Sequence, residues 1–506
     1  FGSSMRVFRS RPQSCSARRA AFRWTSSGPT PSAVAAQEIG VTEFCGSLQR
    51  LRGSIKNIPE DFRVNEIALN GEVERLVQEG NTEALAYQAG PFVSFRLRKR
   101  RRNSDEALAM VARCCGLPRP AFHLNGLKDR VGITVQKVTV DARKLDSVLA
   151  DAMLQHRGWD DAVKVGDFEY TGKRARVGAL AGNRFTIGIR NVEGPAESAA
   201  AWADVVTTGF LNYFGEQRFG SGAAQGHRAG LALMRGEYRE AVELLFDAVV
   251  YDEIGSEAAE LLRTEQFEAL AQMVPWKRKQ EYKIAQHLSR HPGDYAGALA
   301  SLPRGQVLLY VRAYFSWLWN QVASQRMLRC GRSALAGDLV LVSTDRSRSR
   351  SFFDSEGTFQ VQLPRVRHID EVEARSTPGS QVLIPLAGGG TETPDNETLK
   401  MMQDVAAVDG VDYFEMARSG MTDMGFTISG AYRPFLAEAA DVELRHFDAV
   451  RGDEVMVADD HDKGLGIRGM APLGFGASED VGPGLVVSFS LSSGSYATMA
   501  LRELME

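Results

Sequence analysis

The first 37 positions of this 506-residue sequence contain no aspartate, glutamate or lysine. They carry instead Arg6, Arg9, Arg11, Arg18, Arg19 and Arg23 among many serines, with Phe8, Phe22 and Trp24 as apolar bulk. An acid-free, Arg- and Ser-rich segment has the composition of an organellar transit peptide, and a disordered basic tail that touches RNA shares it. Residues 1–40 are therefore set apart as transit peptide or tail, with Met5 a candidate start. The expected compartment is the mitochondrial matrix, with nuclear or cytoplasmic residence as the alternative. Cysteine is scarce elsewhere too: five, at 15, 45, 114, 115 and 330, with no Cys-x-x-Cys, and Cys114 and Cys115 adjacent. That spacing excludes a disulfide framework and a zinc ribbon, and predicts reduced thiols and no metal site.

Other absences narrow the class further. No apolar run approaches the ~20 residues of a membrane-spanning helix, so no membrane association is expected. Net charge is −3, so any nucleic-acid surface must be a local patch. Gly220-Ser221-Gly222 lacks the Gly-Lys-Ser/Thr that completes a P-loop, and no Gly-x-Ser-x-Gly elbow occurs. No internal repeat is present. His287 and His291 stand at i, i+4, but Pro292 follows at once, so a helix end is expected rather than a metal pair. Asp459-Asp460-His461-Asp462 is read as a polar turn.

What remains is an ordinary globular composition, 44% apolar and 24% charged, on a length that suggests two to four domains. Alternation predicts strands at Asp61–Ile67, Phe92–Leu97, Thr134–Val140, Asn183–Arg190 and Val486–Leu491. Helical spacing predicts Ser104–Cys115, Ala199–Phe214, Ala229–Val250, Glu257–Met273, Val307–Leu328 and Tyr496–Leu504, the last capped by Ser495. Asn125-Gly126 signals a turn. Thr344–Ser351, an Arg-Ser tract, and Pro385–Pro394 are expected loops. The character shifts to long helices between 229 and 429, so the expected domains are 41–228, 229–429 and 430–506.

Three segments could carry chemistry. Gly126-Leu127-Lys128-Asp129-Arg130 places a carboxylate in a turn between two cations that would favour its charged form; carboxylates serve as covalent catalysts at sugar carbons, although a solvated turn has the same composition. Asn212-Tyr213-Phe214-Gly215-Glu216-Gln217-Arg218-Phe219-Gly220 joins aromatics that stack on unpaired bases to an Arg that grips phosphate, or it is a helix end packed into the core. Phe95–Arg102, with Arg98 and Lys99, is the densest basic run and a candidate for RNA backbone contact.

In this order these segments resemble the TruD family of pseudouridine synthases. Pro59–Ile67 is similar to its Pro-x-Asp-Phe-x-Val-x-Glu signature, and Gly126–Arg130 with Thr134 and Gln136 to its catalytic Gly-x-Lys-Asp motif. Asn183-Arg184-Phe185, the 212–220 segment, Ser316–Val322, and Phe489–Leu491 with Gly494–Thr498 and Leu501–Leu504 match further blocks. The resemblance spans about residues 55 to 504. Pro385-Leu386-Ala387-Gly388 departs from the usual Pro-Leu-Pro-Gly, as do the 98–102 run and the Arg-Ser tract.

The resemblance implies an α+β fold: a pseudouridine-synthase mixed β-sheet core with flanking helices, interrupted by a TruD-type insertion domain. It implies Asp129 as the catalytic residue, Asn212 and Phe214 near it, Glu66 in support, and Lys128, Arg218, Arg98 and Lys99 on the substrate side. The implied activity is uridine-to-pseudouridine isomerisation in tRNA, rRNA or mRNA, with no cofactor. The alternative is an RNA-binding or mitoribosome-assembly factor on the same fold, with mitochondrial ribosome precursors as partners. The sequence leaves the oligomeric state open.

Overall fold

The computed structural model describes residues 33–80, 90–128, 130–144, 162–220, 226–247, 255–342, 350–353, 359–413, 428, 430–452, 454–458, 471–472 and 481–506. Asp129, residues 1–32, 344–349 of the Arg-Ser tract and 459–462 lie outside them.

A nine-stranded mixed sheet organises the molecule. In chain order its strands are β1 (Arg52–Ile55), β2 (Phe62–Ile67), β3 (Phe92–Arg100), β4 (Phe122–Leu124), β5 (Ile133–Asp141), β6 (Val163–Thr171), β7 (Gly182–Glu193), β8 (Ala439–Arg451) and β9 (Val481–Ser492). The spatial order is β8-β9-β7-β2-β5-β3-β6, with β1 on β7 and β4 on β5. Among the described strands of this sheet only β2 and β5 pair in parallel. This is an α+β fold, with helices against the sheet and a second, smaller sheet of Leu339–Leu341, Val366–His368, Leu383–Leu386 and Ala431–Pro434.

Strand alternation decides where the core lies. Register pairs Val64 with Phe185 and with Thr134, and Phe185 with Phe489, so these share one face. On that face Phe62, Val64, Ile187, Ile189, Val487 and Phe489 join the large core formed with the helices that follow. Further along, Phe95, Leu97, Val138 and Val140 join a second core under the helix Ser104–Cys114. Asn103 caps that helix, its side chain accepting from Glu106 N at 2.7 Å.

Most expected elements form, and the departures have local causes. The helix expected at 199–214 spans Ser198–Thr208, after which Phe210–Leu211 pairs with Leu436–Ala437. The expected 229–250 helix is broken into Gly226–Met234 and Tyr238–Asp247, because Gly236 adopts φ +73°. The expected 257–273 helix is broken into Gly255–Arg263 and Phe267–Met273, with Glu265 at φ +58° between them. The strong central helix is longer than its pattern, Arg304–Cys330. The final helix starts at Ala497, and Ser495 does not cap it. His291 closes the helix Lys279–Arg290, as the following proline suggests.

Buried ion pairs tie the layers together. Arg190 holds Asp61 through two bonds of 2.7 and 2.9 Å, and Arg326 holds Asp338 at 2.6 and 2.9 Å. Such pairs fix geometry more than they add stability. The C-terminal block fastens the segment Val41–Gly46: Glu503 accepts from Cys45 N and Gly46 N, while Arg502 donates to Val41 O and Glu43 O. No described helix is long and apolar enough to cross a membrane.

Candidate active site

The turn that precedes Asp129 is held from below by buried polar side chains. Glu66, near the end of β2, is fully buried. It accepts from Asn125 Nδ2 at 2.7 Å and pairs with Lys128 Nζ at 3.2 Å. Lys128 Nζ also donates to Asn183 Oδ1 on β7 at 2.8 Å, and Lys128 N donates to Ser104 Oγ at 3.0 Å. Ser104 in turn donates to Gln136 Oε1 on β5. Asn125 accepts backbone bonds from Arg176 and Gly178. Thr134 and Gln136, part of the matched motif, are fully buried beneath this turn.

Burial pushes the Glu66 carboxyl above the usual carboxylate range, against the opposing pull of Lys128 and Asn125. The pair Lys128–Glu66 is neutral as a unit. It fixes the position of a lysine one residue from Asp129 without adding a net charge.

Lys128 and Asn183 line one wall of a cleft of about 220 Å³. Phe62, Val64 and Phe185 form its apolar part, and Phe185 stacks on Phe489 at 5.6 Å. The opposite wall is Gln217 with the turn Gly494–Thr498. Both matched segments from distant parts of the chain therefore meet across one opening, between the two cores on the same sheet face.

Behind the second wall lies a residue that the sequence did not single out. Arg433 donates to Asn212 O and Asn212 Oδ1 at 2.6 and 2.8 Å, to Tyr213 O at 3.1 Å and to Gly494 O at 2.8 Å. Its guanidinium lies 4.0 Å from the Phe214 ring centroid and within 6 Å of Trp319 and Tyr496. Burial pushes its pKa down to about 9, still leaving it charged near neutrality. Asn320 on the long helix braces the same loop, accepting from Phe214 N and donating to Phe214 O. Arg433 gave no local signal, because its partners lie more than 200 residues earlier or some 60 later.

The expected site residues separate accordingly. Glu66 and Lys128 are joined at the cleft. Asn212 and Phe214 are buried, 3% and 7% exposed, and packed on Arg433; Tyr496, its ring centroid 6.3 Å from that of Phe214, lines the opening on this side. Arg218 is half-buried, its Nε on Ser316 Oγ at 3.1 Å. The basic run is disposed differently from the expected RNA-facing patch. Arg98 and Lys99 are buried in β3, Lys99 donating to Arg102 O at 2.8 Å. Arg96 binds Glu74 and Glu169, and Arg100 binds Glu60. Arg98 and Lys99 point to opposite faces of β3 and are buried on both, so neither is presented to a phosphate backbone. Another hollow, of about 260 Å³, lies on the opposite sheet face beside Arg63 and Arg184, the latter paired with Glu443.

Comparison with known proteins agrees with this architecture. A family model described as tRNA pseudouridine synthase D (TruD) matches residues 38–504. Multisubstrate pseudouridine synthase 7 of Schizosaccharomyces pombe is 30% identical over 432 residues, 82% of this chain and 62% of that protein. Pseudouridylate synthase 7 homolog of Mus musculus is 27% identical over 429 residues, 82% of this chain and 59% of that protein. The chain thus spans about three fifths of the length of these relatives. A Methanosarcina mazei structure assigned as TruD superposes with a TM-score of 0.64 at 21% identity, covering 93% of this chain and 97% of that one. At that identity the likeness concerns the fold.

Proposed function

The chain belongs to the TruD family, and on that premise we propose that it isomerises uridine to pseudouridine in RNA. The observation that carries the proposal is the fixed Lys128–Glu66–Asn183 lattice at the mouth of an aromatic-lined cleft, one residue from the motif carboxylate. In the reaction uracil leaves C1′ through N1, turns, and rejoins through C5, so atoms balance with no co-reactant. A base inside a helix must first be flipped out, which costs a few kcal/mol that pocket contacts offset. A cleft of this size with Phe62, Phe185 and Tyr496 on its walls suits a flipped pyrimidine.

Asp129 is the proposed catalytic carboxylate, acting at the ribose by covalent attack or by proton abstraction. Lys128 and Glu66 are its positioning residues. Asn212 and Phe214 act through Arg433 and Tyr496, fixing the wall against which the base turns. Arg218, beside Phe214 on the side of the long helix, is the proposed phosphate contact.

The substrate is proposed to be tRNA first, in keeping with the family description, with rRNA or mRNA further targets. The acid-free segment 1–37 favours mitochondria as the compartment. Pseudouridine mapping of mitochondrial and cytosolic RNA, in cells with the wild type, without the protein, and with Asp129→Asn, tests both proposals. Sites lost from mitochondrial RNA in the last two support them. Unchanged sites with failed mitoribosome assembly, rescued by the variant, favour an assembly factor instead.

A further inference from the structure

The stretch 275–291 carries Lys277, Arg278, Lys279, Lys283 and Arg290 against the single acid Glu281, in a chain whose net charge is −3. At its head Trp276 is 67% exposed. A large aromatic left in water forgoes the burial that would stabilise the fold. Its position is nonetheless well fixed. Val274 just before it is buried, Arg278 N closes the turn on Pro275 O at 2.9 Å, and the helix Lys279–Arg290 follows with Gln280, Ile284, Ala285 and Leu288 buried. Lys279 and Lys283, one helical turn apart, share a face, and both are exposed with Lys277.

An exposed indole beside a lysine stripe is the pairing that single-stranded nucleic acid uses: a base stacks on the ring and the cations follow the backbone. Its place in the fold also connects it to the cleft. Gln280 accepts from Tyr310 OH at 2.8 Å on the long helix, and ten residues along the same helix Asn320 holds the Phe214 loop. At 1.5 Å per residue that is about 15 Å, about four or five stacked nucleotides at ~3.4 Å each.

We propose that Trp276 with Lys277, Lys279 and Lys283 is a second RNA contact outside the reaction cleft, where an unpaired base of the substrate stacks on the indole and the lysines hold its flanking phosphates. The proposal rests on the RNA reading of the cleft and extends it to a separate surface.

The test uses the full chain and a twenty-nucleotide oligouridylate, followed by fluorescence anisotropy across a salt series, with steady-state kinetics on a tRNA transcript. Trp276→Ala should raise the Kd about five- to 150-fold, the range of ~1–3 kcal/mol per stacked base. Trp276→Phe, which keeps a ring, should stay within about threefold. The double change Lys279→Glu and Lys283→Glu should flatten the salt dependence, by ~0.7 in log–log slope per lost phosphate contact on single strands. KM for tRNA should rise in Trp276→Ala while kcat at saturation holds. Wild-type affinity and salt slope retained by both variants, with pseudouridine still formed, would overturn this inference alone and turn attention to an acidic protein partner for the patch. A wild type that neither binds RNA nor forms pseudouridine would overturn both readings.

Discussion

The two walls of the cleft solve the same problem, a buried cation, in different ways. Lys128 meets a carboxylate, Glu66, and the pair is neutral. Among the described residues Arg433 bonds no carboxylate; its charge is spread over three backbone carbonyls, one amide oxygen and the faces of aromatic rings. The first arrangement fixes the side chain next to Asp129 in sequence while adding no net charge. The second uses the fixed fork of a guanidinium to lock a loop, a turn and a ring in one geometry. The lesson is that one wall governs charge and the other shape, so their variants should fail in different ways.

The largest expected effect comes from separating the pair. Glu66→Ala leaves Lys128 buried without its partner and should lower unfolding stability by ~3–5 kcal/mol, read from urea denaturation. A loss under about 1 kcal/mol would mean the pair contributes little to holding the turn.

On the other wall, Arg433→Met removes the donor to four oxygens at once. A loss of ~2–4 kcal/mol is expected from the penalty for unsatisfied buried acceptors. Arg433→Lys, a point charge without the fork, should restore part of the stability but not kcat. Full recovery of kcat by lysine would show that charge, not geometry, is what this wall supplies.

Much of the architecture was legible beforehand. Alternation at Asp61–Ile67 and Asn183–Arg190 marked two strands, because a sheet with one buried face must alternate; that they pair with each other was not legible. The Gly-Leu-Lys-Asp segment stood out by its composition and motif, but the partners that hold Lys128 there, Glu66, Ser104 and Asn183, lie far off in sequence. Arg433 and the fate of the basic run were not legible. Whether Arg96 or Arg100 faces water depends on Glu74, Glu169 and Glu60 reaching them, and no local pattern encodes that. The helix breaks at Gly236 and Glu265 were likewise missed, since apolar spacing continued through residues of positive φ.

Lys128→Met sharpens the comparison through pH. Burial raises the folded pKa of Glu66 above its ordinary 4.5. A raised carboxyl contributes stability below its unfolded pKa and loses it as pH rises through the folded value. Without Lys128 that folded pKa should climb further. The variant's deficit relative to wild type should therefore be larger near pH 7 than near pH 5, read from urea denaturation at the two values. An equal deficit at both values would show that Glu66 does not titrate in this window.

The smallest expected effect concerns the far end of the motif turn, where β5 begins beside β2. Gly132 adopts φ +101°, and a Cβ there would stand 2.2 Å from Phe62 O. Gly132→Ala should destabilise by ~1–3 kcal/mol as backbone strain and raise KM modestly. A neutral thermal shift would mean the turn relaxes without disturbing either wall.

The most direct test of the central claim is tritium release from uridine-labelled tRNA by the purified chain, wild type against Asp129→Asn, with RNA affinity measured on the same preparations. Release by the wild type, a fall of at least about a thousandfold in the variant, ~4 kcal/mol of barrier, and an unchanged Kd are expected. Retained release by Asp129→Asn, or a wild type that binds tRNA at the same affinity yet never releases tritium, would contradict that claim.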